Sequence, residues 1–359
     1  MSIKLFVNPQ KDLSIEKDNI FLRFLYKHLS EFEHLDIVSL KDEELFRRIN
    51  SKSSNGESYL INWLDILFAF MKINLTKNSL INEIATLFLL PIFIFRLFKF
   101  YFIVCKFLQN NFVYFYCHDL KTFSRLPSLK ICDAIIRPLF LKHSKKVLFA
   151  ESSCKDDVEA HYNLRISDFE IIHLGKYHSL KKTISKDSLR KKHNIPNGKM
   201  VILFPGTVRA NRDLDLNIEK KLLDYGVYLI RIGRGHKKKF DNQNLKVMSG
   251  FIKQQIFDET LACADYVLSP SEEYLTSAVE RASIGMRIPI IGNSFGSTRD
   301  MCKGCFIDIS IFQQSDDSII NSIPCPGSQE YYNLQLNCDK RDKERIWDES
   351  FNRFSNLFL

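Results

Sequence analysis

The sequence predicts an α/β protein made of two doubly wound domains. Short, continuously apolar runs alternate with segments of helical periodicity through most of the chain, the pattern of parallel strands joined by helices. That alternation gives way to a polar, basic stretch over 179–199 (SLKKTISKDSLRKKHNIPNGK) and restarts with MVILF at 200–204. The 359 residues are also natural for two domains rather than one.

In the first half, strands are expected at 3–7, 35–40, 59–66, 112–117, 145–150 and 169–173. Asn8-Pro9 turns the first strand, and 51–58 is a polar loop. Helices are expected at 20–29, where Ile20, Phe21, Phe24, Leu25 and Leu29 recur at helical spacing, at 130–141, and at 152–162, which opens with paired serines. Residues 84–108 (IATLFLLPIFIFRLFKFYFIVCKFL) stand apart, intensely apolar and aromatic but interrupted by Arg96, Lys99 and Lys106. A spanning helix needs about 20 predominantly apolar residues, and each charge at its centre costs about 2.5–3.5 kcal/mol on insertion scales. Two readings stay open: a helix lying in the membrane interface, or a core helix whose basic residues snorkel to the surface.

The second half gives a strand at 200–204, the loop PGTVRANR at 205–212, a helix at 217–225 and a strand at 227–232. The turn GRGHKKK, a short segment at 246–249, a helix at 251–263 and a strand at 266–268 follow. The stretch 268–300 then runs from a strand end through a hydroxyl-rich loop into a helix and a second buried strand. A helix N-terminus beside such a loop offers free N–H groups and the positive end of a dipole, which suits phosphate. The charged segment 337–359 has helical character.

Composition bounds the chemistry. Apolar residues make up 45% of the chain, enough for substantial cores. The net charge of +9 favours an anionic partner. The basic residues are dispersed, and no zinc module or recognition helix is evident, which argues against nucleic acid. The nine cysteines are scattered, and Cys302/Cys305 lacks the second pair a zinc site needs, so the setting is read as reducing and cytoplasmic.

Three strand-end loops carry the candidate chemistry. In Gly206–Arg212, glycine permits close approach and Arg209 and Arg212 offer fork-shaped donors for phosphate oxygens. Gly233-Arg234-Gly235-His236 reads as a strand-end turn. In the third loop, Thr276 and Ser277 precede a helix, and Glu280 one turn inside suits a neutral diol of a sugar or ribose. In the first half, His118 and Asp119 stand at a strand's carboxyl end, where open α/β sheets hold ligands.

These residues carry a resemblance. FPGTVRANRD, SGFIKQQIFDETLACADYVLSP and 270–289 resemble the nucleotide-sugar-binding domain of GT-B fold glycosyltransferases, especially family 4 and related bacterial surface-polysaccharide enzymes. YFYCHDL and HLGKY resemble their acceptor-domain and linker segments, and the similarity covers most of 59–305. There are departures: Arg212 stands for Lys, Ala278 and Arg287 for Gly, and Asp300 for Glu.

The resemblance implies a GT-B architecture, two Rossmann-like doubly wound domains facing a central cleft. Residues 1–180 would form the acceptor-binding domain, carrying the basic, aromatic helix 84–108. Residues 181–330 would bind the nucleotide sugar, and 331–359 would pack back on the N-terminal domain. The implied reaction moves a sugar from a nucleoside-diphosphate sugar to a hydroxyl of a polyprenyl-diphosphate-linked saccharide, in O-antigen, capsule or exopolysaccharide assembly. Gly206, Arg209, Arg212, Thr276 and Ser277 would meet the diphosphate. Glu272 and Glu280, spaced as that family's glutamate pair, would meet sugar and ribose and lean towards a retaining reaction. His118, Asp119 and Glu280 are the catalytic candidates. No metal or cofactor is expected beyond the nucleotide-sugar co-substrate, because the only DxD sequence of that kind, Asp213–Asp215, reads as a helix start. The expected place is the cytoplasm, peripheral on the anionic inner face of the cell membrane. The alternative is a non-catalytic scaffold of the same fold, binding at the membrane.

Overall fold

A computed structural model of the protein describes residues 3–8, 29–51, 55–62, 64, 90–122, 126–175, 185–208, 213–270, 274–313, 322–345 and 347–358. The chain divides into two compact units, Met1–Ile172 with Phe351–Leu359, and His173–Ser350.

The first unit is built on six parallel strands: β1 (Ile3–Asn8), β2 (Leu35–Ser39), β3 (Ser58–Ile61), β4 (Phe112–Tyr116), β5 (Lys146–Phe149) and β6 (Phe169–Ile171). Their order is β2-β1-β3-β4-β5-β6, and every pairing is parallel. The connections include α1 (Asp42–Asn50), α2 (Leu90–Asn110), α3 (Pro127–His143) and α4 (Ser152–Tyr162). The chain leaves β1 in one direction to β2 and in the other to β3, so the topological switch point lies between β1 and β3. The expected helix at 20–29 and the far end of the expected strand 59–66 fall largely outside the described residues.

Helix α2 occupies much of the segment expected at 84–108. Phe93, Leu97, Phe100, Val104, Phe107 and Leu108 recur every three or four residues and are buried. The neighbouring stripe is also apolar yet faces solvent, with Phe95 70%, Phe98 61% and Phe102 67% exposed. Among the described residues, no helix is long and apolar enough to cross a membrane.

The second unit holds β7 (Val201–Pro205), β8 (Tyr228–Gly233), β9 (Leu245–Ser249), β10 (Tyr266–Ser269), β11 (Ile290–Gly292) and β12 (Phe306–Asp308). They are ordered β12-β11-β10-β7-β8-β9 and paired in parallel throughout. Counted from β7, this is the 3-2-1-4-5-6 order of dinucleotide-binding sheets, with its switch point between β7 and β10. Alternation along the strands fills two cores. Ile202, Phe204, Leu229, Tyr266 and Leu268 pack on one face, and Val201, Leu203, Ile230 and Val267 on the other. Burial on both faces is why these strands read as unbroken apolar runs rather than alternating ones.

The helices of this unit are α5 (Lys186–Lys192), α6 (Leu216–Asp224), α7 (Gln254–Cys263), α8 (Ala278–Gly285), α9 (Ser297–Met301), α10 (Gln329–Lys343) and α11 (Trp347–Asn356), the last running into the first unit's C-terminal segment. Buried Asp265, just before β10, accepts from Lys186, from Arg190 Nη2 at 2.7 Å and from the Val201 N–H at 2.7 Å. It thereby joins α5 to the starts of the two central strands. The segment expected as one C-terminal piece, 331–359, is divided between the units. Helix α10 belongs to the second, where Asp342 and Asp339 bind Arg281 and Arg287 of the α8 region. Residues from Phe351 onward belong to the first, where Tyr114 donates to the Leu357 carbonyl at 3.1 Å and packs at a tilt against Phe358.

Candidate functional site

Ligands of open parallel sheets bind outside the carboxyl ends of the strands at the switch point, so the loops after β7 and β10 define the candidate site of the second unit. Gly206 follows β7 with φ of +104°, a conformation suited to glycine. Its N–H donates to the Ile232 carbonyl at 2.8 Å, and the Val208 N–H donates to the Arg234 carbonyl at 2.9 Å. The loops after β7 and β8 lie so close that a Cβ on Gly233 would sit 2.2 Å from the Gly206 oxygen.

Behind this contact runs a buried polar chain. Arg231, in the middle of β8, is fully buried. Its Nη1 donates to Glu219 Oε2 at 2.5 Å, its Nη2 to Asp213 Oδ1 at 2.6 Å and its Nε to His236 Nδ1 at 3.2 Å. With Nδ1 accepting, His236 carries its proton on Nε2 and donates it to the Gly206 carbonyl at 2.8 Å. The peptide of Gly206 is thus oriented by Glu219 and Asp213 through Arg231 and His236. Burial alone would raise the Asp213 carboxyl, but Lys239 and Arg231 outweigh it and hold it below the ordinary aspartate value. Asp215 caps α6 through the Asn217 and Ile218 N–H groups, as a helix start should. Lys238 and Lys239, in the turn after β8, are both ion-paired, to Asp241 and Asp213.

On the β10 side, Ser277 is the N-cap of α8, its Oγ accepting from the Glu280 N–H at 3.3 Å. Serine followed three residues later by glutamate is a capping-box sequence. Here the glutamate side chain turns elsewhere: Oε1 accepts from Ser269 Oγ at 2.5 Å and Oε2 from Thr298 Oγ1 at 2.9 Å. Glu280, 3% exposed, therefore ties the end of β10 to the first turn of α8 and to α9. The Ala278 and Val279 N–H groups at the α8 N-terminus have no partner among the described residues. Thr276 is half-buried beside them. The wall opposite is closely packed, since a Cβ on Gly292 would lie 2.3 Å from the Ser269 oxygen. Arg209, Arg212 and Glu272 lie outside the described residues.

Arg287, where the resemblance expects glycine, has φ of +61°. The left-handed conformation that favours glycine is kept, and the arginine is held there by bonds from its guanidinium to both Asp339 oxygens. Arg281 is buried whole, donating to Asp342 Oδ1 at 2.8 Å and to the Leu174 carbonyl at 2.9 Å.

In the first unit, His118 follows β4 and stacks on Tyr116 at 4.2 Å between ring centroids. Burial pushes its pKa down to about 3, so the imidazole is neutral at physiological pH. Asp119 is half-buried, and its carbonyl accepts from Arg137 Nη1 at 3.0 Å. Arg137 is paired within the core to Asp133, which also accepts from the Thr122 N–H at 2.8 Å, so α3 fixes the turn over 118–122. Two residues with no site role in the sequence reading stand at this sheet's switch point. Asn8 ends β1 and Asn62 follows β3, both buried, and Asn62 Nδ2 donates to the Asn8 carbonyl at 2.8 Å. The Oδ1 atoms of both find no hydrogen-bond partner among the described residues.

No protein-family model matches the chain, and no curated protein matches it in sequence. Solved structures do match over essentially the full length. Sucrose-phosphate synthase from Thermosynechococcus elongatus aligns at TM-score 0.64 and 10% identity, covering 100% of this chain and 98% of that one. An α,α-trehalose-phosphate synthase (UDP-forming) from Burkholderia vietnamiensis aligns at 0.63 and 8% identity, covering 99% and 96%. HepE from Anabaena, in complex with UDP-glucose, aligns at 0.61 and 13% identity, covering 100% and 99%. The chain shares with them the GT-B fold, two Rossmann-like domains in one chain.

Proposed function

We propose that the protein is a glycosyltransferase that takes a sugar from a nucleoside-diphosphate sugar and delivers it to a hydroxyl of a lipid-linked saccharide at a membrane surface. The observation that carries this reading is the β7–β10 switch point. There, a glycine loop held by buried side chains stands at one strand end, and an α8 N-terminus whose Ala278 and Val279 N–H groups have no partner among the described residues follows the other. Such N–H groups stabilise the negative charge that grows on a leaving diphosphate. The GT-B neighbours support the same reading, HepE having been solved with UDP-glucose.

In this mechanism the Arg209 and Arg212 guanidinium groups meet the diphosphate oxygens beside Gly206, Thr276 and Ser277, a cationic set that needs no metal. Glu280 keeps the α8 turn in place through Ser269 and Thr298. Glu280 and Glu272 would meet the donor-sugar and ribose hydroxyls as hydrogen-bond acceptors. His118, neutral because burial holds its pKa near 3, binds a sugar hydroxyl rather than taking its proton. A weak base at this position fits retention of the anomeric configuration better than inversion. Asp119 is the second polar contact. The exposed Phe95, Phe98 and Phe102, with Arg96, Lys99 and Lys106 on the same helix, suit an interfacial position on an anionic bilayer, where a polyprenyl-linked acceptor is found. Surface-polysaccharide assembly is the process this chemistry fits.

The test is a thermal-shift screen of UDP-, GDP- and other nucleotide sugars, because a ligand that binds only the folded state raises its apparent stability. One donor should raise the midpoint and be hydrolysed or transferred slowly when lipid-linked acceptor is present. A protein indifferent to every donor contradicts the proposal.

A further inference from the structure

We propose that the cavity between α1 and α2 is a binding site for the phosphate of an anionic phospholipid headgroup. The cavity has a volume of about 290 Å³, and its polar lining is Asn50, Ser51, Asn55, Lys99, Lys106 and Asn110. That is room for a phosphate and its ester oxygens, and among the described residues no acidic side chain lines it. Lys99, Ile103, Lys106 and Asn110 follow one another at intervals of three or four and so form one stripe of α2. Neither lysine has an ion-pair partner among the described residues. Glu44 of α1 and Glu57 ahead of β3 are paired with Arg48, and Asp42 accepts from Asn8. Two ammonium groups with hydroxyl and amide donors beside them are a phosphate-binding set.

Its position separates this cavity from the candidate active site. The Gly56 N–H donates to the Asn110 carbonyl at 2.7 Å and the Phe112 N–H to the Glu57 carbonyl at 2.9 Å, so the end of α2 adjoins the amino ends of β3 and β4. Asn8, Asn62 and His118 stand at the opposite, carboxyl edge of the same sheet. The source of the phosphate is set by what flanks it: the exposed stripe of Phe95, Phe98 and Phe102 runs beside the lysine stripe on the same helix. A helix that sinks its aromatic stripe into the acyl boundary carries the neighbouring stripe at headgroup level. The inference rests on the interfacial reading of α2 proposed above.

Sedimentation with phosphatidylcholine vesicles, with and without phosphatidylglycerol, tests it. Lys99→Gln/Lys106→Gln should lower partitioning onto the anionic vesicles about 30-fold, about fivefold per lysine, and leave binding to the neutral ones unchanged. The charge-matched Lys142→Gln/Lys145→Gln pair, on exposed residues of the same unit, should change it far less. Equal losses in the two pairs mean diffuse charge and overturn the proposal. A second arm uses methyl NMR of Ile49 and Ile103, which also line the cavity. Dihexanoyl phosphatidylglycerol below its micelle concentration should shift both methyls, and inorganic phosphate should do so more weakly. Shifts with phosphate alone, or with neither, overturn it. If the wild-type protein binds no vesicle, the interfacial reading of α2 fails by itself, and the methyl arm still decides the cavity.

Discussion

Removing the Arg231 guanidinium is the sharpest perturbation of the second unit. Arg231→Met keeps the volume and apolar stem but leaves Glu219, itself fully buried, without its cation. Stripping one partner from a buried pair costs about 3–5 kcal/mol, mostly the desolvation of the orphaned charge. Asp213 adds little to that cost, because it is partly exposed and keeps Lys239 at 2.8 Å. Replacing Glu219 as well removes the orphan, so Arg231→Met/Glu219→Met should recover most of the loss. What the double variant does not restore is the hydrogen bond to His236, and with it the orientation of the Gly206 peptide. Urea unfolding would measure stability, with hydrogen exchange of β7 and β8 amides assigning the transition to this unit. Calorimetry would measure nucleoside-diphosphate affinity. Stability should fall and then return across the cycle, while affinity stays about tenfold weaker in both variants. A loss below about 1 kcal/mol for the single variant, or full recovery of affinity in the double one, would rule out this role for Arg231.

Other outcomes follow from the same geometry. Gly233→Ala should destabilise the second unit by about 2 kcal/mol or more in urea unfolding, since the added Cβ meets a backbone oxygen at 2.2 Å at a φ of +129°. Glu280→Gln should cost about 1 kcal/mol and Glu280→Ala about 3 kcal/mol by the same assay, because glutamine keeps one acceptor oxygen and a hydroxyl can turn to accept from its amide. With a folded pKa near 3 and an unfolded value near 6.5, His118 leaves the unfolded chain binding the extra proton between those values. Stability should therefore rise with pH by up to about 1.4 kcal/mol per unit across that window and level off above it. His118→Gln should flatten the slope in unfolding midpoints measured from pH 4 to 7.5.

The strand–helix alternation and the restart at 200–204 were legible in the sequence because these strands are buried on both faces and read as plain apolar runs. The switch-point loops were legible for a related reason: glycine and hydroxyl residues directly after such a run have few structural uses other than a tight turn or a cap. Arg231 was not. It interrupts the strand YLIRIG, and a lone arginine in a strand says nothing about the glutamate, aspartate and histidine that tertiary packing brings to it. Its place between residues too apolar to face water marks it as buried, but not with what partners. Arg287 looked like a departure because glycine's role there is conformational, and a φ of +61° held by Asp339 cannot be read from residue types. Asn8 read as part of a turn, and Asn62 gained meaning only when the strand order put the two side by side.

On the proposed function, the β7–β10 switch point holds the diphosphate of a nucleotide sugar. Calorimetric titration of a nucleotide-sugar panel against the wild-type protein and Arg209→Ala tests it most directly. One donor should bind with a Kd below about 1 mM, weakened about tenfold or more in the variant. Saturable binding that Arg209→Ala leaves unchanged, or no binding by any member of the panel, would contradict it.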